Sequence, residues 1–189
     1  MNEKTAVIDF FCDVTQKSAQ TLVSVVNGAM AEQIDKIIIR LSSTGGSLSP
    51  AFGAYHFLRS VKVPLVMYNY GNVESSAILL YLAADTRIAA PHGQFLIHPF
   101  HWTFGPSPVP LPKIVEAVAS LNFDVSRYAE IFKERTEKAD KPLDVIECLE
   151  GKPSVIGAEV AASCGLTTET PAVYADAPTG AIRAWIVEA

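Results

Sequence analysis

The sequence predicts a single α/β domain built on a parallel sheet with crossover helices, and three observations carry that prediction. Short β-rich runs alternate with segments of helical periodicity through the first half of the chain. Each helical segment opens directly after a turn that closes a strand, the pitch of strand–helix–strand units. Of 189 residues, 49% are hydrophobic and 19% charged, enough apolar side chain for one sizeable core.

The elements follow in order. Residues 6–12 form the first strand. From 16 to 34, Leu22, Val26, Met30 and Ile34 recur at helical spacing beside Ala19, Val23 and Ala29, an amphipathic helix with Thr15 as its N-cap. Strand 36–41, helix 49–59, strand 65–70, helix 75–84 and strands 87–90 and 94–98 continue the alternation. Residues 100–112 break it, because Pro99, Pro106, Pro108, Pro110 and Pro112 deny backbone donors to a ladder; this is a loop or an extended edge. Beyond it Ile114, Val118, Leu121, Val125, Tyr128 and Phe132 alternate steps of four and three along a helix reaching about residue 136, and that stripe needs a partner surface. A short helix follows Asp140 and Pro142, and a last one covers about 158–163 with Gly165 as its stop. Residues 175–189 read as a flexible tail, although Trp185, Ile186 and Val187 offer apolar surface for docking.

Charge and composition narrow the function. Fifteen Lys and Arg against twenty Asp and Glu leave a net charge of −5, without the basic footprint of a nucleic-acid binder. Cys12, Cys148 and Cys164 are too few and too scattered for a disulfide framework or a metal-binding spacing, which suits a reducing cytoplasm. No secretory h-region, membrane-length apolar run or internal repeat is visible, so a soluble cytoplasmic protein without a membrane partner, metal or cofactor is expected.

Three features place backbone amides or a nucleophile where a strand gives way to a helix. Ser43-Thr44-Gly45-Gly46-Ser47 follows an apolar strand, and adjacent glycines let main-chain N–H groups approach a ligand; a plain strand-to-helix turn has the same composition. Gly71-Asn72-Val73-Glu74-Ser75-Ser76-Ala77 puts serines at a helix start, where the following amide can face an oxyanion, although serine there is ordinarily an N-cap. Phe95-Leu96-Ile97-His98-Pro99 ends a strand with an imidazole suited to taking a hydroxyl proton, or simply with a hydrogen-bonded histidine. His56, His92 and His101 lack that placement.

Gly-Gly, a strand, Gly-x-x-x-Ser opening a helix and an Ile-His-Pro strand end, in that order, resemble the proteolytic subunit of the Clp protease, a serine peptidase of crotonase-like fold. The resemblance covers residues 6–166 and implies a β-β-α superhelix with a protruding handle: a head of about 6–98 and 137–174, a handle of about 99–136, then the tail. It implies Ser75 as nucleophile, His98 as general base, and the amides of Gly46 and Ser76 as the oxyanion hole. The helix after Lys113 matches the handle through which rings stack, and Gly157-Ala158-Glu159 to Gly165-Leu166 matches the closing motif. Peptide or unfolded protein as substrate and a homo-oligomeric ring, a heptamer or a stacked double ring, are implied with it.

The departures are specific. Lys152 stands at the position of the family's histidine-orienting aspartate, and a charged lysine cannot accept a hydrogen bond from imidazole; Glu150, two residues upstream, is the candidate third member, with Asp144 and Asp140 further off. Losing that carboxylate can cost about 10⁴ in kcat. Glu74 puts a carboxylate beside the serine, where it would oppose a developing oxyanion unless it turns away. The proline-rich stretch replaces the strand that pairs with bound peptide, and the N-terminal segment that helps dock an ATPase is almost absent, so an ATPase partner is not assumed. Two other readings stay open: a catalytically impaired ring subunit, and crotonase-type acyl-CoA hydratase or isomerase chemistry, for which Ala84-Asp85-Thr86-Arg87-Ile88-Ala89-Ala90 is the similar segment and Glu74 the residue of interest.

Overall fold

The computed structural model describes residues 4–170, 172 and 181–186. In chain order the elements are β1 (Thr5–Phe10), α1 (Gln16–Ala31), β2 (Lys36–Ser43), α2 (Leu48–Ser60), β3 (Leu65–Glu74), α3 (Ala77–Leu82), β4 (Thr86–Ala89), β5 (Gln94–Ile97), α4 (Leu111–Arg135), α5 (Val145–Glu150), β6 (Ser154–Gly157), α6 (Ala158–Ser163) and β7 (Ile182–Ile186). The α/β alternation is the one the periodicity predicts. Thr15 caps α1 in a capping box with Ser18, each side chain bonded to the other's backbone. No helix among the described residues is long and apolar enough to cross a membrane.

All seven strands form one sheet, ordered β6-β5-β3-β2-β1-β7, with β4 also on β3. Every pairing is parallel except β5 with β6. β1 is buried along its whole length, as a central strand covered on both faces must be. Within it Asp9 sits opposite Arg40 of β2, and the two are ion-paired.

β3 does the positioning. Its register against β2 slips between Leu41↔Asn69 and Ser43↔Val73, so β3 spends four residues where β2 spends two. The bend lets β3 pair first with β4 over Val66–Asn69 and then with β5 over Asn72–Glu74. The fully buried Asn69 braces it, donating to Gln94 O at 2.9 Å and accepting from Gly71 N at 3.0 Å. The carboxyl ends of β2, β3 and β5 therefore emerge together, the edge at which open parallel sheets build sites.

Two expectations are corrected. The tail is not free over its whole length: Ile182–Ile186 is β7, parallel to β1, with Ile186 buried in the core. Residues 175–180 and 187–189 lie outside the described residues. The helical stripe of α4 is also split. Tyr128 and Phe132 are buried within the chain's own core, whereas Leu111, Ile114, Val115, Val118 and Phe123 are exposed. Residues 98–110 carry no regular element, as the prolines require.

Candidate active site

Ser75 sits one residue past β3 with φ 54, the left-handed region that costs a residue with a Cβ about 1 kcal/mol or more. The conformation is held from three sides. Ser75 N donates to Leu96 O at 2.8 Å, Ile78 N donates to Ser75 O at 3.2 Å, and the Tyr128 hydroxyl donates to the same carbonyl at 3.2 Å. Tyr128 is wholly buried, and burial pushes its phenol far above the ordinary tyrosine range, so it is a permanent donor. A strained residue at a strand-to-helix turn, pinned through its backbone, presents its side chain outward.

Gly45 and Gly46 make this packing possible. At Gly45, φ is +92 and a Cβ would lie 2.7 Å from Glu74 O and 2.8 Å from Ser75 Cβ. At Gly46, φ is +139 and a Cβ would lie 2.5 Å from Val14 O. The glycines thus admit the chain's own serine turn and the β1–α1 loop. Val14 N donates to Gly45 O at 2.6 Å and Ser47 N donates to Val14 O at 2.8 Å. That parallel bridge passes on either side of Gly46 and leaves the Gly46 N–H facing away from Val14, with no partner among the described residues.

Because β3 and β5 are parallel with Glu74 opposite Leu96, His98 emerges just beyond Ser75. Its Nδ1 lies 2.9 Å from Pro99 O. A carbonyl only accepts, so Nδ1 carries the proton and Nε2 is left as the basic nitrogen. Ser75, His98 and Gly46 line one cavity of about 630 Å³, together with Asp13, Thr44, Phe100, His101, Trp102, Leu121 and Asp124 among others. No hydrogen bond joins Ser75 to His98. The His98 and His101 rings lie 5.7 Å apart.

The remaining candidates are placed differently. Ser76 is buried against Gly45 and is not among the residues lining the cavity; among the described residues its amide has no hydrogen bond and its hydroxyl no partner. Glu150 is exposed at the end of α5 and does not line the cavity, so the structure does not bring it to His98. Lys152 is ion-paired with Glu147. The Glu74 carboxylate is turned away from the cavity, accepting from Asn72 Nδ2 at 2.8 Å and Gln94 Nε2 at 3.1 Å. The Asp-Thr-Arg-Ile segment has a structural occupation: Arg87 is buried and donates to the carbonyls of Ala84, Leu166, Gly165 and Arg135, and burial lowers its pKa to about 10. Among the described residues, no group of three or more His, Cys, Asp or Glu is placed to hold a metal ion.

Sequence reasoning missed Asp13, Asp124, Tyr128 as a brace, and the Pro99 carbonyl. Asp13 and Asp124 carry no motif, since they reach the cavity from the β1–α1 loop and from α4. Pro99 O acts through its backbone, which residue type does not reveal.

A family model described as Clp protease matches residues 3–169. No curated protein matches the chain. Among solved structures, a mutant of ClpP1 from Listeria monocytogenes has a similar fold, with a TM-score of 0.73 at 18% identity over 87% of this chain and 90% of that one.

Proposed function

The chain belongs to the Clp protease family, and from that membership we propose that it is a serine-type endopeptidase cleaving peptides or unfolded proteins inside a ring of its own copies. The observation that carries the proposal is the convergence of Ser75, His98 and Gly46 on one cavity, with His98 Nδ1 occupied by a carbonyl. Ser75 Oγ attacks the scissile carbonyl carbon while Nε2 of His98 takes its proton; the C–N bond then breaks as that proton passes to the leaving amine. Water hydrolyses the acyl-enzyme by the same exchange. The Gly46 amide, which lines the cavity, and the amide of the buried Ser76 that follows the nucleophile, both without other partners among the described residues, hold the oxyanion.

The Pro99 carbonyl takes over the tautomer-fixing part of the missing acid's role. It lacks the full negative charge that would stabilise an imidazolium, so the site works as a Ser-His dyad and turns over more slowly than a full triad. The same observation favours a second reading, a ring subunit whose main contribution is assembly. Acyl-CoA chemistry is disfavoured, because Glu74 and Arg87 are both engaged elsewhere. The apolar residues left exposed on α4 support burial against another copy.

Labelling with a fluorophosphonate tests the peptidase reading: wild-type protein is modified at Ser75 and Ser75→Ala is not. An assembled protein that neither labels nor cleaves casein leaves only the assembly role. Size-exclusion chromatography giving a monomer at micromolar concentration refutes the ring.

A further inference from the structure

We propose that the cavity selects peptides carrying a lysine or arginine beside the scissile bond, and that Asp13 is the residue that selects them. This rests on the reading of Ser75 and His98 above. Among the described residues, the cavity is lined by two carboxylates, Asp13 and Asp124, and by no lysine or arginine. The two carboxylates differ in charge balance. Asp124 is ion-paired within α4 to Arg127 at 2.6 Å, and that guanidinium is itself stacked 3.5 Å from the centre of the Phe52 ring. Asp13 has no cationic partner among the described residues; only the Thr44 hydroxyl donates to it, to Oδ1 at 2.5 Å.

Asp13 is also held in place. Its carbonyl accepts from Ser18 Oγ at 2.8 Å, inside the cap of α1, and its neighbour Val14 is bonded on both sides of Gly46. The carboxylate is therefore fixed one residue from the chain that braces the proposed oxyanion glycine. Asp13 is exposed at the rim of a mixed polar and apolar cleft, and an uncompensated negative charge there attracts cations, more strongly at low salt. Phe100 and Trp102 line the same cavity and offer ring faces and apolar surface to the charged head and methylenes of a basic side chain. Acidic side chains are disfavoured by the same charge.

The test separates recognition from chemistry. Peptides identical except for one lysine, norleucine or glutamate are titrated by calorimetry into the full-length Ser75→Ala protein, at low and at high salt. The expected order is lysine, norleucine, glutamate, with about a tenfold gap between the first two that narrows with salt. Asp13→Asn, which keeps an acceptor for Thr44, removes the gap, and Asp124→Asn does not. Thr44→Val weakens the gap and serves if Asp13→Asn does not fold. Cleavage maps of the wild type then place the basic residue next to the cut bond. Equal binding of lysine and norleucine peptides, or a gap that survives Asp13→Asn, overturns the inference. A lysine preference without Ser75 labelling overturns the peptidase reading alone, and cleavage without the preference overturns this inference alone.

Discussion

Replacing Gly45 by alanine tests whether the serine turn is wedged against the glycine pair. The added Cβ would stand 2.7 Å from Glu74 O, 2.8 Å from Ser75 Cβ and 3.1 Å from Ser76 N, all backbone or rigid atoms. Ordinary carbon contacts begin near about 3.5 Å, so the turn must shift. Holding alanine at φ +92 costs about 1–2 kcal/mol and overpacking about 1–3 kcal/mol, together about 2–5 kcal/mol. At about 2–4 °C per kcal/mol for a chain of this length, the melting temperature falls by about 4–20 °C. Gly28→Ala is the matched control, an exposed position inside α1 where a Cβ meets nothing. Helix propensity alone makes that change stabilising by about 0.5–1 kcal/mol. Urea and thermal unfolding of both variants, at one protein concentration because assembly couples to stability, give the two signs. Fluorophosphonate labelling of the same samples reports on Ser75. A Gly45→Ala protein that melts with the wild type and labels at the wild-type rate refutes the wedge.

Glu150→Gln changes the Ser75 labelling rate by less than about twofold, since the carboxylate is exposed and off the cavity; a loss of the order seen when a triad acid is removed would put Glu150 back beside His98 in the working assembly. Tyr128→Phe deletes the donor to Ser75 O and lowers stability by about 0.5–1.5 kcal/mol in urea titrations, with a several-fold slower labelling rate; unchanged values would mean that the 3.2 Å contact carries no energy. Burial pushes the Cys164 thiol up, so its contribution to stability is whole below the unfolded thiol value of about 8.5 and is lost as pH climbs through the folded one. The urea midpoint of the wild type therefore drops more steeply above that pH than the midpoint of Cys164→Ala, and parallel curves would contradict the assignment.

Much of the framework is local chemistry and was legible in the residues. The N-cap at Thr15, the β-rich runs of β1 to β3 and the stop at Gly165 each depend on side chains within a few positions of one another. Gly46, Ser75 and His98 were legible through the order of their motifs, which the family resemblance singles out; that their strands end at one edge is what the structure adds. The C-terminal strand was not. β7 is a strand because β1 has an open edge beside it, and nothing within Ile182–Ile186 announces that neighbour. Asp9 in the middle of β1 makes sense only with Arg40 placed opposite by register.

The sequence by itself determined the alternation of strand and helix and the residue types at the strand ends, because periodicity and turn chemistry act over a few residues. Tertiary structure alone decided which groups surround the imidazole. The slip in β3 sets where Ser75 emerges, the Pro99 carbonyl and not the Glu150 carboxylate lies beside His98 Nδ1, and Asp13 and Asp124 reach the same cavity from opposite parts of the chain. Such contacts depend on distances in space between residues far apart in sequence, and no single-chain pattern encodes them.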